Sequence, residues 1–334
     1  MKARAAKKIG ILLLLFSCML VFLFAIPFNA VFSSDVEINM DPETKTFLHA
    51  FNKVKSCNVD IQALRKVVFL PSSVPVQKTE DIFIQGDLGL IPCRLYTPFG
   101  EGPFPVYIAF GGGGWVSGNL ESNDAQCREI CCRSGFLVLS VNYHKAPEHP
   151  FPQPLEDCYA ALLWAAEHIQ EFGGDSARLT LGGDSAGGNL AAATALLARD
   201  RKGPTLQAQV LLYPVTNYSF DTLSYNENGE GYLLTRESMK MFWSSYLGEE
   251  EGKNKYASPL QAQLEGLPPT LIIIADYDPL RDEGLDYAYK LKKFGVAVTI
   301  LQYPTIHGFI SFSKQIRLGE EALEKIALFL KNSL

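Results

Sequence analysis

A glycine-flanked serine is the feature of this sequence that most clearly could do chemistry. The segment Gly183-Asp184-Ser185-Ala186-Gly187 follows an apolar run and opens an alanine-rich stretch with helical spacing. Such a strand–turn–helix setting is what a nucleophile elbow requires. The turn brings the two backbones so close that the residues two before and two after the serine must be minimal, and both are glycine. The motif predicts Ser185 as a nucleophile, with an ordinary glycine-rich turn as the alternative.

A serine hydroxyl needs an adjacent base, and that base must be held by a third group. On such an elbow the chain order is serine, then aspartate or glutamate, then histidine. Of the five histidines, only His307 follows Ser185, and it lies just beyond the last predicted strand. Asp276, Asp278 and Asp282 follow the strand before it. Sequence order alone leaves these three aspartates open as the acid.

The oxyanion formed by serine attack needs backbone N–H donors already in place. Ala186, directly after the nucleophile, offers one, and the glycine run 111–114 after the third predicted strand offers the others. Glycine-rich loops also hold phosphates, but the chain has neither a P-loop pattern nor a dinucleotide-binding pattern. It also lacks the C-x-x-C and H-E-x-x-H patterns of zinc sites. We therefore predict no metal and no cofactor.

The elements that must position these residues alternate between two patterns. Short apolar, β-branched runs are separated by longer stretches with helical spacing, which predicts βαβ units and a mostly parallel sheet. Short turns join the first runs, so we expect the sheet to begin antiparallel. The predicted strands are 81–85, 91–96, 105–110, 136–142, 178–181, 207–213, 270–275 and 296–303. Stretches 41–69 and 217–264 fall outside the alternation, and we expect them over the carboxyl edge of the sheet, where such folds bind ligands.

Composition limits the classes of protein to which the chain can belong. Of 334 residues, 47% are apolar and 20% are charged, which is typical of a globular protein with a large core. The net charge of −6 argues against a nucleic-acid partner, since such proteins normally present a basic surface. Seven cysteines are too few for a disulfide scaffold in a chain of this length.

The N-terminal segment 1–34 differs from the rest of the chain. Four basic residues within the first eight precede 20 residues without a charge, Ile9 to Phe28. This length favours an uncleaved membrane anchor over a signal peptide, although Val31-Phe32-Ser33 offers a possible cleavage site. The basic flank lies before the span, so everything downstream is expected outside the cytoplasm, either anchored or secreted. We assign residues 35–334 to a single catalytic domain.

Five signatures, in order, resemble those of the hormone-sensitive lipase-like esterases, a branch of the α/β-hydrolases of the bacterial esterase and arylacetamide deacetylase type. They are 112–115 (GGGW), 143–150 (YHKAPEHP), 183–189 (GDSAGGN), 278–284 (DPLRDEG) and 307–309 (HGF). The resemblance implies an α/β-hydrolase fold: a mostly parallel eight-stranded sheet, flanked by helices. It also implies a helical cap, from about 35–70 and 217–264, and hydrolysis of carboxylic esters without a cofactor.

The resemblance also carries roles to individual residues. The match at Asp278-Pro279-Leu280 makes Asp278 the acid of the triad, a choice that sequence order left open. The implied catalytic residues are Ser185, Asp278 and His307, and the implied oxyanion donors are Gly113, Gly114 and Ala186.

Two positions depart from the family pattern. The family's oxyanion loop opens with a histidine, and here that position is Gly111 when the alignment is fixed on Trp115 (otherwise Phe110 takes its place). A side chain that braces the loop is therefore absent, and the oxyanion hole is expected to be looser. The usual Arg-Leu after Tyr143 is His144-Lys145, which affects local loop packing.

The chain is thus predicted to be a serine carboxylesterase that acts on small to medium esters through an acyl-enzyme on Ser185. One alternative is a lipase or deacetylase held at the membrane by the N-terminal segment. Another is a ligand-binding receptor of the same fold that does not turn over. Four cap aromatics either line the substrate pocket or belong to the core: Tyr232, Phe242, Trp243 and Tyr246.

Overall fold

A computed structural model describes residues 39–54, 61–67 and 71–333 of the chain. The N-terminal segment 1–34, for which we predict a targeting or anchoring role, lies outside these residues. Within the described ranges, none of the helices combines the length and apolar character needed to cross a bilayer.

One eight-stranded sheet organises the chain, as predicted. Its strand order is β1-β2-β4-β3-β5-β6-β7-β8. Strands β1, β2 and β4 pair antiparallel, and every other neighbouring pair is parallel, so the antiparallel start is also confirmed. The strands are β1 Lys78–Gly86, β2 Gly89–Thr97, β3 Phe104–Phe110, β4 Leu137–Val141, β5 Gly174–Asp184, β6 Ala208–Leu212, β7 Thr270–Tyr277 and β8 Val298–Ile306.

Burial along the strands explains which of them are central. Every residue of β4 and β6 is buried, as expected for strands covered on both faces. The edge strand β1 instead alternates, with its side chains exposed on one face. Gln209 is the one side-chain amide in β6. Its burial is stabilised by a hydrogen bond, since its Nε2 donates to Thr270 Oγ1 of β7 at 2.9 Å.

Nine α-helices are found in the described ranges. Helices α3 and α9 contact each other, and so do α4 and α5, which flank the sheet as layers. The helices are α1 Pro42–Val54, α2 Ile61–Arg65, α3 Leu120–Ser134, α4 Gln153–His168, α5 Ala186–Asp200, α6 Leu223–Asn228, α7 Arg236–Leu247, α8 Arg281–Lys293 and α9 Arg317–Asn332.

Helix α3 follows the glycine loop, and its start is set by local sequence. The Oδ1 atom of Asn119 accepts from the Ser122 N–H at 2.9 Å, and the Ser122 hydroxyl accepts from the Asn119 N–H at 2.8 Å. This reciprocal capping box satisfies two N–H groups that the helix leaves without partners. Gly135, at φ 77°, ends the helix in the left-handed conformation.

Both predicted cap segments contact loops that follow the parallel strands. Helix α1 meets the end of β8, where the hydroxyls of Thr44 and Thr305 lie 2.8 Å apart. Helix α7 packs on the loop after β3 through its aromatic side chains. Trp115 stacks on Tyr246 with ring centroids 4.2 Å apart, and it lies 4.7 Å from the Trp243 ring. The described parts of the two segments thus contact the carboxyl edge of the sheet, and their role as a cap stays a prediction.

Candidate active site

Ser185 stands on a strained turn between β5 and α5. Its backbone has φ 56° and ψ −120°, a conformation that a serine adopts only when its surroundings impose it. A Cβ atom on Gly183 would lie 2.3 Å from the carbonyl oxygen of Gly187. A Cβ atom on Gly187 would lie 2.0 Å from the carbonyl oxygen of Phe110. The two glycines are therefore required for the reason predicted: backbones pass too close for any side chain.

Ser185, Asp278 and His307 come together although 122 residues separate the first from the last. Each is the first residue after a parallel strand, β5, β7 and β8 respectively, and the carboxyl ends of those strands share one edge. His307 Nε2 lies 2.9 Å from Ser185 Oγ, and His307 Nδ1 lies 2.6 Å from Asp278 Oδ2. Acceptance by the carboxylate keeps the proton on Nδ1, so Nε2 is free to accept from the serine hydroxyl.

The acid and the base of this arrangement are shielded from water. His307 is 2% exposed and Asp278 is 0% exposed. The second carboxylate oxygen of Asp278 accepts from the Leu280 N–H at 2.8 Å, which fixes the carboxylate plane. The ring of Tyr213 meets the imidazole edge-on, with centroids 4.9 Å apart. These contacts hold the imidazole in one orientation, as a base that shuttles protons requires.

The other two aspartates that sequence order left open have different partners. Asp276 Oδ1 accepts from Gln302 Nε2 at 2.5 Å, on the neighbouring strand. Asp282 Oδ2 accepts from the Ser224 N–H at 2.7 Å, near the start of α6. Of the three, only Asp278 contacts His307, which agrees with the role that the family resemblance implies.

The glycine loop after β3 has the geometry that the oxyanion prediction needs. Gly113 and Gly114 have φ values of 117° and 61°, which favour glycine. The Gly113 carbonyl oxygen accepts from the N–H groups of Val116 and Ser117, which closes the turn. Within the described residues, no acceptor binds the backbone N–H groups of Gly113, Gly114 and Ala186. Ala186 opens α5, so its N–H has no partner within the helix.

Two contacts that were not predicted from the sequence hold this loop in place. Asp184 Oδ1 accepts from the Gly112 N–H at 3.0 Å, and the Tyr143 hydroxyl donates to the Gly111 carbonyl oxygen at 2.8 Å. Burial raises the pKa of the Asp184 carboxyl above its ordinary value, and the bond from Gly112 offsets part of that rise. The available signal was a carboxylate that follows the buried second half of β5 and directly precedes Ser185.

We expect Asp184→Ala to lower kcat about tenfold, because it leaves the Gly112 N–H without an acceptor and loosens the loop. Asp184→Asn keeps an oxygen in the same place, so kcat is expected to stay within about threefold of wild type. Steady-state hydrolysis of p-nitrophenyl butyrate measures both. Equal rates for the alanine and asparagine variants would show that the bond to Gly112 does not support the loop.

Asn123 of helix α3 occupies the space beside Gly111. A Cβ atom on Gly111 would lie 1.7 Å from Asn123 Nδ2 and 2.6 Å from its Cγ. The glycine at position 111, where the family has histidine, therefore has a structural counterpart. The Asn123 side chain of α3 occupies the space that a histidine side chain at position 111 would need. The expectation that the oxyanion hole is looser stays a prediction.

Gly111→His is expected to lower kcat about tenfold and to destabilise the fold by about 1–3 kcal/mol, because the new side chain overlaps Asn123. Adding Asn123→Ala removes the overlapping atoms, so Gly111→His/Asn123→Ala is expected to recover most of both losses. Thermal unfolding and p-nitrophenyl butyrate turnover are measured on the two single variants and the double variant. A double variant no better than Gly111→His would contradict the account.

The four cap aromatics are all buried, and they divide between two places. Phe242 lies directly on the oxyanion loop, since a Cβ atom on Gly114 would stand 2.4 Å from its ring. Trp243 and Tyr246 pack with Trp115 as core, and Tyr232 lies beside Tyr277 with ring centroids 5.5 Å apart. Of the four, Phe242 is thus the one placed beside the predicted oxyanion donors.

Comparisons with known proteins agree with this geometry. A model of a family described as having the alpha/beta hydrolase fold matches residues 107–311. The chain is 44% identical over 240 residues to the carboxylic ester hydrolase LipN of Mycobacterium tuberculosis, a match that covers 69% of this chain and 64% of LipN. It is 35% identical over 308 residues to the carboxylesterase NlhH of the same organism, which covers 89% of this chain and 97% of NlhH.

A solved structure shows the same likeness in three dimensions. The crystal structure of a thermostable esterase from Pseudomonas putida ECU1011 superposes with a TM-score of 0.84 at 34% sequence identity. The superposition covers 88% of this chain and 98% of that one. At this identity and coverage the likeness extends beyond the fold to the sequence over most of the chain.

Proposed function

The chain belongs to the α/β-hydrolase fold family, among the hormone-sensitive lipase-like carboxylic ester hydrolases, and from that premise we propose that it works through an acyl-enzyme on Ser185. The observation that supports this best is the continuous line of hydrogen bonds from Asp278 through His307 to Ser185. The expected effects of breaking that line at either end are treated in the Discussion.

The proposed reaction has two halves. His307 Nε2 takes the proton from Ser185 Oγ as that oxygen attacks the ester carbonyl carbon. The carbonyl oxygen becomes an oxyanion and binds the free N–H groups of Gly113, Gly114 and Ala186. The intermediate collapses as His307 passes its proton to the departing alkoxide, which leaves as the alcohol.

Deacylation repeats the sequence with water. His307 removes a proton from water as the water oxygen attacks the acyl carbon, and it returns that proton to Ser185 Oγ. The carboxylic acid leaves, and the enzyme is restored without any cofactor. Asp278 accepts the hydrogen bond from Nδ1 and stabilises the imidazolium that forms twice in each cycle.

We propose that the substrates are small esters, because Phe242 closes one wall beside the oxyanion loop. The relatives are named as a carboxylic ester hydrolase and a carboxylesterase, which favours simple carboxylic esters over more specialised substrates. The chain length of the acyl group that fits then depends on the room that the Phe242 ring leaves.

We expect Phe242→Ala to raise the ratio of kcat/KM for the eight-carbon over the four-carbon p-nitrophenyl ester about tenfold, since it opens space for several methylenes. The ratio is used because removing a buried ring also destabilises the fold, which affects both esters alike. Tyr289→Ala, at an exposed position on α8, is the matched control and should leave the ratio unchanged. An unchanged ratio in Phe242→Ala would show that the Phe242 ring does not limit the length of the acyl chain.

We further propose that residues 1–34 place the catalytic domain outside the cytoplasm, anchored or secreted. The support is in the sequence: a basic start followed by 20 residues without a charge. The test compares the full chain with residues 35–334 in membrane and soluble fractions after alkaline carbonate washing. The full chain should stay with the membrane while the shorter one is released, or should be found cleaved in the external fluid. A full chain recovered uncleaved in the cytoplasm would contradict the proposal.

A further inference from the structure

A cavity of about 530 Å³ lies next to the oxyanion loop, where Val116 and Ser117 line it. It is separate from the hydrogen-bonded group of Ser185, His307 and Asp278. It opens between the start of β2, the loop segment 116–119 and the loop 142–149. Ser185, Asp278 and His307 do not line it. Its volume is within the range of small-molecule sites. The two residues that depart from the family signature after Tyr143, His144 and Lys145, both face it.

Lys145 is a lysine without a carboxylate partner on the wall of this cavity. Its Nζ donates to Asn142 Oδ1 at 3.1 Å and to the Tyr143 carbonyl oxygen at 2.6 Å, and it lies 3.5 Å from the centroid of the Tyr143 ring. An ammonium has three donors, and within the described residues the third finds no acceptor. Burial lowers the pKa of Lys145 to about 7, and the charge of Asp157 offsets only part of that fall.

Among the residues that line the cavity, Lys145 is the one cation that no carboxylate contacts. The two histidines are held by oxygens through their Nδ1 atoms: His144 Nδ1 lies 2.7 Å from Asp157 Oδ2, and His149 Nδ1 lies 3.2 Å from Gln153 Oε1. The one carboxylate that lines the cavity, Glu148, is held by the guanidinium of Arg65 through bonds of 2.6 and 2.7 Å. The lining therefore carries more positive charge than negative.

The lining also carries apolar surface. Leu64, Leu90, Pro92 and Val116 contribute it, next to the polar side chains of Ser117, Asn119 and Asn142, and Leu90 is 57% exposed. A small inorganic anion would leave this surface unused. An anion with a short apolar chain would satisfy the cations with its head and bury its tail against these side chains.

We propose that this cavity is a second binding site, specific for a carboxylate with a short apolar chain. The carboxylate accepts from Lys145 Nζ, completing its third hydrogen bond and compensating its lost hydration. The acid released by ester hydrolysis belongs to this chemical class. The site itself, however, is built from residues outside the catalytic line and does not depend on that activity.

The test uses the full chain with Ser185 blocked by a fluorophosphonate, so that the catalytic pocket cannot take up the ligand. Butyrate is titrated calorimetrically, with butyramide and inorganic phosphate as comparison ligands. One butyrate is expected to bind per chain, at least tenfold more tightly than either comparison ligand. Lys145→Met keeps the length of the side chain and removes its charge, so it is expected to weaken butyrate binding at least tenfold. Lys325→Met, on the exposed side of α9, is the matched control and should bind as wild type does.

Three results would overturn the proposal: no butyrate binding once Ser185 is blocked, equal affinity in Lys145→Met and wild type, or phosphate or butyramide binding as tightly as butyrate. Near-ultraviolet circular dichroism of Lys145→Met checks that the fold is kept. If that variant fails to fold, Lys145→Gln serves in its place, with the same tenfold loss expected and unchanged affinity overturning the proposal. Esterase assays on unblocked enzyme report separately on the catalytic proposal.

Discussion

Ser185→Ala lowers kcat/KM for p-nitrophenyl butyrate by about 10⁴-fold or more, while the protein stays folded. The reason is that the acyl-enzyme cannot form without Oγ, and no other hydroxyl in the described residues contacts His307 Nε2. The residual rate of Ser185→Ala comes from direct attack of water on the ester, with the oxyanion donors still in place. Alanine tolerates the turn at φ 56° about as well as serine does, so the effect is on chemistry and not on the fold.

The control for this prediction is Ser333→Ala, at the C-terminal end of α9 and far from the site. It is expected to match wild type within about twofold, as surface substitutions usually do. Far-ultraviolet circular dichroism and thermal unfolding establish that Ser185→Ala is folded. If its rate stays near wild type with the fold intact, a different nucleophile is at work. A receptor that does not turn over would instead show no activity in wild type.

Asp278→Asn lowers kcat about 10³–10⁴-fold with little change in KM. An amide at this position no longer requires the Nδ1 proton of His307, so the ring can bind in the wrong tautomer, with its proton on the nitrogen that faces Ser185. The loss of the carboxylate also removes the charge that stabilises the imidazolium. Both effects act on the chemical step, which is why kcat and not substrate binding should fall.

The matched control for the acid is Asp276→Asn, two residues earlier and near the end of β7. Asp276 binds Gln302 and does not contact His307, so its kcat is expected to stay within about threefold of wild type. This pair of variants separates two aspartates that sequence order could not separate. A large loss in Asp276→Asn with a small one in Asp278→Asn would assign the acid differently.

The fold could be predicted because the local sequence pattern of each helix or strand indicates its type. The buried strands are continuous apolar runs in the sequence, and each predicted strand overlaps an observed one, with most ends within two residues. Strand β5 is the main exception: it begins at Gly174, four residues before the predicted start, because Gly174 pairs with Phe104 across the sheet. That pairing is a tertiary contact, and no local pattern in the polar segment 174–177 indicates it.

The candidate site was predicted as far as its residues follow from chain order and tight geometry. Gly183 and Gly187 could be argued from the turn alone, and the contacts in the structure give the same reason. The partners of the glycine loop could not, because Asp184 meets Gly112 across 72 residues and Asn123 meets Gly111 through helix packing. Such contacts depend on how strands and helices are placed side by side, which periodicity does not specify.

The central claim is that Ser185 is the nucleophile activated by His307, and active-site labelling tests it most directly. The full chain is treated with a fluorophosphonate, its intact mass is measured, and the modified peptide is sequenced by mass spectrometry. We predict one adduct per chain, on Ser185, formed slowly or not at all in His307→Ala. An adduct on any other residue, or equal labelling of wild type and Ser185→Ala, would contradict the account.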